Sequence, residues 1–128
     1  MARILLAEDE FLIRMVLAEE LVEQGHVVIE ASSGDEAMRM VDAGQACDIL
    51  VTDIQMPGSL DGIGLATKLR TRQPGVPVVY VTGRPESLAA IKRLERYDAI
   101  IRKPFAATEV INVVRDILAH AERPVASW

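Results

Sequence analysis

Five short apolar runs constrain this chain more than any other feature, because each is apolar almost throughout rather than at alternate positions. They are Ile4-Leu5-Leu6-Ala7, Val27-Val28-Ile29, Ile49-Leu50-Val51-Thr52, Val78-Val79-Tyr80-Val81-Thr82 and Ala99-Ile100-Ile101. A strand with no polar face has to be covered on both sides, which is the situation of a parallel sheet between two helical layers. Helical segments fall in the intervals. One runs from Glu10 to Gln24 and is closed by Gly25. Another opens on Ser33-Gly34-Asp35-Glu36, a capping box with Ser33 as N-cap and Glu36 reaching back, and continues to Ala43-Gly44. A third starts at Asp61, is interrupted near its start by Gly62 and Gly64, and stops at Pro74-Gly75. A fourth covers Glu86 to about Arg96. The fifth covers Ala107 to Ala121, with Val110, Val114, Ile117, Leu118 and Ala121 on one stripe. Strand and helix thus alternate five times across short connections, which predicts right-handed crossovers. The expected fold is α/β: one doubly wound domain with a five-stranded parallel sheet and five helices. It should occupy residues 1–122, with 123–128 as a short tail and no output domain.

Composition narrows the functional classes. A chain of 128 residues can bury a real core, and half its residues are apolar. The net charge of −5 and the lack of a basic stripe argue against a nucleic-acid partner. No apolar run approaches spanning length, so no membrane role is expected. Cys47 is the only cysteine, which excludes an intramolecular disulfide and fits a reducing, cytoplasmic setting.

Ligands of open parallel sheets bind beyond the carboxyl ends of the strands. Glu8 and Asp9 follow the first run, Asp53 ends the third, Thr82 ends the fourth and Lys103 follows the fifth. Taken singly, each has a structural reading: Asp53 could cap a turn, and Glu8 and Asp9 could face a helix dipole. If the first and third strands are neighbours, however, three carboxylates share one crevice. They would raise one another's pKa unless a cation sat among them. A hard divalent ion such as Mg²⁺ suits oxygen ligands and leaves positions open for phosphate. Lys103 and Thr82 could then meet phosphoryl oxygens, and Asp53 could act as a nucleophile forming an acyl phosphate.

These residues, with Met56-Pro57, Asp61-Gly62 and Lys103-Pro104-Phe105, resemble the receiver domain of two-component response regulators, in its stand-alone form. The resemblance covers essentially the whole chain. It implies a flavodoxin-like sheet of order 2-1-3-4-5, with Asp53 as phosphoacceptor and Thr82 and Lys103 as its catalytic partners. It implies Mg²⁺ held by Glu8, Asp9, Asp53 and the backbone carbonyl of Gln55, and a cis Lys103-Pro104 bond. The phosphoryl donor would be a phosphohistidine on a histidine kinase or phosphotransfer protein. The output would be contact with a downstream protein target, or service as a phosphate sink. The face of the fourth helix, fifth strand and fifth helix is the usual contact surface and could also serve a homodimer. Such a domain catalyses only its own phosphorylation and dephosphorylation and is not otherwise an enzyme.

Three departures from the family pattern stand out. The loop Gly58-Ser59-Leu60-Asp61-Gly62 is one residue longer than usual, and Gly83 follows Thr82 where alanine is common. The switch position three residues before Lys103 is Ile100 instead of an aromatic, and Tyr97 is offset from it. Coupling of the phosphorylated site to the fifth strand should therefore be weak or differently built. On the first helix, Glu19, Glu20, Glu23 and Gln24 mark a polar side, which puts Phe11, Met15, Ala18 and Val22 on the buried side. Leu12, Ile13 and Val16 are left toward solvent as a partner-docking patch. Rival functions fit less well. A flavin site would want a phosphate cradle where Glu8-Asp9-Glu10 stands. An aspartyl-phosphate phosphatase would want a second acid where Gln55 stands, and a pseudo-receiver scaffold would not need an intact acidic site.

Overall fold

The computed structural model describes residues 1–91 and 94–121. The elements are β1 (Arg3–Ala7), α1 (Phe11–Glu23), β2 (Val27–Ala31), α2 (Gly34–Asp42), β3 (Ile49–Asp53) and α3 (Gly62–Arg72). They continue as β4 (Val78–Thr82), a 3-10 helix η1 (Pro85–Ala90), β5 (Ala99–Arg102) and α4 (Ala107–Ala121). All strand pairs are parallel, and the order is β2-β1-β3-β4-β5. The doubly wound, flavodoxin-like sheet is as expected. Successive strand residues serve opposite layers. Ile4, Leu6, Ile49, Val51, Val79, Val81 and Ile101 pack under α1 and α4. Leu5, Leu50, Val78 and Tyr80 pack under α2 and α3. Among the described residues no helix is long and apolar enough to cross a membrane.

The fourth helix is shorter than its sequence suggests, so the described residues hold four α-helices and one 3-10 helix rather than five α-helices. Of the expected span, residues 92–93 lie outside the described residues. Beyond them Asp98 takes over: its buried carboxylate accepts from the N–H of Glu95 (2.9 Å) and of Val78 (2.9 Å) and from Arg70. Side-chain bonds of this kind compete with helical ones and hold the chain in a turn at the start of β4 and β5. The expected tail, 123–128, also lies outside the described residues.

The buried face of α1 is rotated by about one position from the expected one. Leu17, Ala18 and Leu21 are buried, while Phe11, Met15 and Val22 are exposed. The first two turns carry apolar residues nearly all round, so periodicity there does not single out a face.

The extended loop after β3 follows a defined path. Gly58 adopts φ of 101°, a left-handed conformation that suits glycine. Ser59 then donates to the Asp35 carboxylate through its N–H (2.9 Å) and its hydroxyl (2.6 Å), tying the extra residue to the first turn of α2. Those bonds hold the Asp35 carboxyl below its ordinary range. In α2, Ser33 caps the N–H of Glu36 (3.0 Å), but Glu36 reaches back to the N–H of Ser32 (2.8 Å), one residue earlier than a capping box requires.

Candidate functional site

The strand order reverses between β1 and β3, and the crevice beyond their carboxyl ends holds the acidic residues. Asp53 ends β3 and is only 5% exposed, and Glu8, just after β1, is 2% exposed. Oxygen atoms of Glu8, Asp9 and Asp53 lie within 4.8 Å of one another. Backbone bonds hold the strand ends in place. The Glu8 N–H donates to the carbonyl of Ala31 (3.0 Å), and that of Ile54 to Val81 (3.0 Å). Arg14, which sequence reasoning did not single out, donates to the Glu8 carbonyl (2.8 Å) and pairs with Glu30 (3.3 Å).

Lys103 reaches the crevice from the far side. Its Nζ donates to Asp53 Oδ2 at 2.9 Å and lies 3.6 Å from Glu8 Oε1. The Lys103 N–H donates to the carbonyl of Thr82 (2.8 Å), and the Lys103-Pro104 bond is cis. The other Asp53 oxygen, Oδ1, accepts from the Gln55 N–H at 3.2 Å. One lysine thus meets two of the three carboxylates, Asp53 and Glu8. Burial pushes the Glu8 carboxyl up from 4.5 to about 7, and the negative charge of Asp53 adds to that rise. A bond from the Glu10 N–H and the charge of Lys103 offset it only in part. Burial works to lower the Lys103 ammonium, yet its hydrogen bond to Asp53 and the charges of Asp53, Glu8 and Glu10 outweigh that and raise it. An acid that ionises this reluctantly beside two others marks a place with room for positive charge. The all-oxygen donor set fits a hard divalent cation such as Mg²⁺.

Thr82 stands at the rim with its hydroxyl engaged elsewhere. Its single proton lies between two acceptors, Gln55 Oε1 (3.3 Å) and the Arg84 carbonyl (3.1 Å), and its oxygen accepts from the Arg84 N–H (3.0 Å). The Gln55 carboxamide in turn donates to the hydroxyl of Ser87, in η1. Ser87 carries no signal in the sequence that would place it near Asp53. Ile100 is outside the site. It pairs with Tyr80 and packs in the α2–α3 layer, whereas Tyr97 packs in the α1–α4 layer beside His120 and so does not replace it. Gly83 does not adopt positive φ, and an added Cβ would meet only Lys103 Cβ at 3.7 Å and Cδ at 3.8 Å. An alanine fits there, so nothing in this state of the loop requires glycine.

Of the candidate docking residues, Leu12 and Val16 are 68% and 46% exposed, while Ile13 is half-buried against the core. With Gly83, Pro104 and Phe105 they line an apolar groove of about 620 Å³ beside Lys103.

Known proteins share this architecture. Residues 4–115 match the model of the response regulator receiver domain. The chain is 36% identical over 121 residues to the sensor kinase CckA of Brucella abortus, an alignment covering 91% of this chain and 12% of CckA. It spans about half the length of several other curated relatives, transcriptional regulators among them. A response regulator receiver protein from Sinorhizobium medicae superimposes with a TM-score of 0.84 at 32% identity, covering 94% of this chain and 96% of that one. The Thermotoga maritima response regulator TrrA, solved in complex with Mg²⁺-BeF, superimposes with a TM-score of 0.75 at 29% identity, covering 92% of this chain and 100% of TrrA.

Proposed function

Because the chain belongs to the response regulator receiver domain family, we propose that it is a cytoplasmic phosphoacceptor of a phosphorelay, with Asp53 taking the phosphoryl group and protein contacts carrying the signal. The observation that carries this reading is the contact of Asp53 Oδ2 with Lys103 (2.9 Å) beside Glu8 and Asp9 at the strand-order reversal. The Mg²⁺-BeF complex of TrrA supports a site of this kind taking the ion together with a tetrahedral phosphoryl mimic.

An Asp53 carboxylate oxygen attacks the phosphorus of a donor phosphohistidine. The O–P bond forms as the N–P bond breaks, and the imidazole leaves and takes a proton from solvent. Lys103, already on Asp53, is in place to follow the charge onto a phosphoryl oxygen. Thr82 has to turn its hydroxyl from Gln55 and Arg84 toward another such oxygen. Glu8, Asp9, Asp53 and the backbone carbonyl of Gln55 would hold Mg²⁺, which neutralises phosphoryl charge and supplies no proton chemistry. Turnover of external phosphate esters is disfavoured. A phosphatase would place an acid where Gln55 stands, and the Gln55 carboxamide is engaged by Thr82 and Ser87.

Incubation with Mg²⁺ and acetyl phosphate should modify the wild type and leave Asp53→Asn unmodified, as intact mass and beryllofluoride binding can show. An Asp53→Asn protein that is modified at the same rate would overturn the assignment.

The groove beside Lys103 offers a phosphohistidine-bearing partner an apolar landing next to the reacting atoms. Ile13 contributes to the core, so Leu12→Asp and Val16→Asp are the cleaner probes. Each should slow phosphotransfer from the partner kinase or phosphotransfer protein on the order of tenfold, with the acetyl phosphate rate unchanged. Equal loss with both donors would rule the docking role out.

A further inference from the structure

We infer that Ser87 is a positioning residue that latches the Thr82 hydroxyl in its resting position, and that Thr82 signals to η1 through Ser87 rather than to β5 through Ile100. This deepens the phosphoacceptor reading and rests on it.

The hydrogen-bond inventory around Thr82 carries the inference. A hydroxyl has one proton to give, and the Thr82 proton lies between Gln55 Oε1 (3.3 Å) and the Arg84 carbonyl (3.1 Å). Both acceptors lead to the same residue. The far end of the Gln55 carboxamide donates to Ser87 Oγ. The Arg84 carbonyl also accepts from the Ser87 N–H at 3.0 Å. Thr82 and Ser87 therefore close a ring, one side running through a side chain of the β3–α3 loop and the other through backbone. Ser87 lies within η1 (Pro85–Ala90), a short 3-10 helix. Such turns hold their backbone less firmly than α-helices.

Turning the Thr82 proton toward a phosphoryl oxygen takes the Thr82 donor from both sides of the ring at once. Gln55 Oε1 loses its donor, and the Arg84 carbonyl keeps only Ser87. The half-buried Gln55 must then reorient or take on water, and either change acts on Ser87. The link to β5 leaves from the Thr82 backbone, which pairs with Arg102 and whose carbonyl accepts from the Lys103 N–H (2.8 Å), and not from the hydroxyl that turns. Ile100 has no polar side-chain group, and it reaches β4 by strand pairing with Tyr80 and by apolar packing.

Three predictions separate the latch from the phosphoacceptor reading. In the protein without phosphoryl donor, Ser87→Ala should shift the Gln55 side-chain amide resonances, and Ser87→Thr, which keeps the hydroxyl, should restore them. With Mg²⁺ and acetyl phosphate, Ser87→Ala should be modified roughly threefold to tenfold faster than wild type, the factor one neutral hydrogen bond is worth. On adding beryllofluoride, Ser87→Ala should keep the amide shifts of Thr82 and Gly83 but show much smaller ones from Glu86 to Ala90, where only the backbone side of the ring remains, with Ser87→Thr again like wild type. A Ser87→Ala rate within about twofold of wild type, or undiminished shifts across Glu86 to Ala90, would overturn the latch while Asp53 stands. A wild type that takes no beryllofluoride would remove the phosphoacceptor reading and the latch with it.

Discussion

Gly62→Ala is expected to destabilise the domain by about 3 kcal/mol and to lower its melting temperature by roughly 10 °C. A Cβ at Gly62 would lie 2.0 Å from the Asp53 carbonyl oxygen, 2.9 Å from its carbon and 3.0 Å from Ile54 Cα. All three are backbone atoms, so no side chain can swing aside. The backbone there is also held from several directions. The Gly62 N–H donates to the Ile54 carbonyl (2.9 Å), the Thr52 hydroxyl donates to the Asp53 carbonyl (2.8 Å), and the Ile54 N–H continues the ladder to Val81 (3.0 Å). Relief would come from moving α3 off β3 or from moving Asp53 itself, so beryllofluoride affinity should fall along with stability. Gly83→Ala, with only ordinary van der Waals contacts around its Cβ, is the matched control and should stay within about 1 kcal/mol of wild type. Chemical denaturation of the two variants checks this, and a Gly62→Ala midpoint equal to that of Gly83→Ala would contradict it.

The same glycine shows where a sequence is legible and where it is not. Gly62 and Gly64 suggest an interrupted helix start. Instead α3 runs unbroken from Gly62, with the Asp61 carboxylate capping the Gly64 N–H at 2.8 Å. Local propensity is outweighed here by the closeness of two backbones, which no one-dimensional pattern encodes. The strands were readable because burial on both faces forces unbroken apolar runs, and strand ends are where a doubly wound sheet gathers its chemistry. That is why Glu8, Asp9, Asp53 and Lys103 stand out in the sequence and do converge. Thr82 also stands out, but its present partners, Gln55 and Arg84, belong to loops whose paths are set in three dimensions. Ser87 was invisible for the same reason. Periodicity points to the wrong buried face of α1 because Phe11, Leu12, Met15 and Val16 make its first turns apolar on several sides. In that case the sheet chooses the face and periodicity does not.

Mg²⁺ is expected to stabilise the protein strongly above about pH 7 and much less near pH 5.5, with Glu8 as the cause. The Glu8 carboxyl rises from 4.5 to about 7 in the fold. A carboxyl raised in this way keeps its proton in the folded chain at pH values where the unfolded chain has released it. Without metal, stability is therefore highest below about pH 4.5 as far as Glu8 is concerned, and falls as pH rises toward 7. At about 1.4 kcal/mol per pH unit, the loss is on the order of 3 kcal/mol. The other shifted groups act outside this window. Lys103 is raised above its ordinary 10.5, so its contribution is complete below that value and is lost only at higher pH. Asp35 is lowered from 3.8, so its contribution is lost only as pH falls below that. A divalent ion on Glu8 needs the carboxylate and must displace the proton. Its apparent affinity should weaken by up to about tenfold for each pH unit below 7 and level off above. Its stabilising effect follows that affinity. Thermal melts in EDTA and in Mg²⁺ across this range should show two curves that meet at low pH and diverge above neutrality. Glu8→Gln removes the titrating acid, so its EDTA curve should lose the decline toward pH 7 and lie above wild type at about pH 8. Its gain from Mg²⁺ should be smaller and nearly flat with pH. A Mg²⁺ gain in the wild type that is equal at both ends of the range would remove Glu8 from the metal site. An unchanged EDTA profile in Glu8→Gln would remove burial of its charge as the origin of the pH dependence.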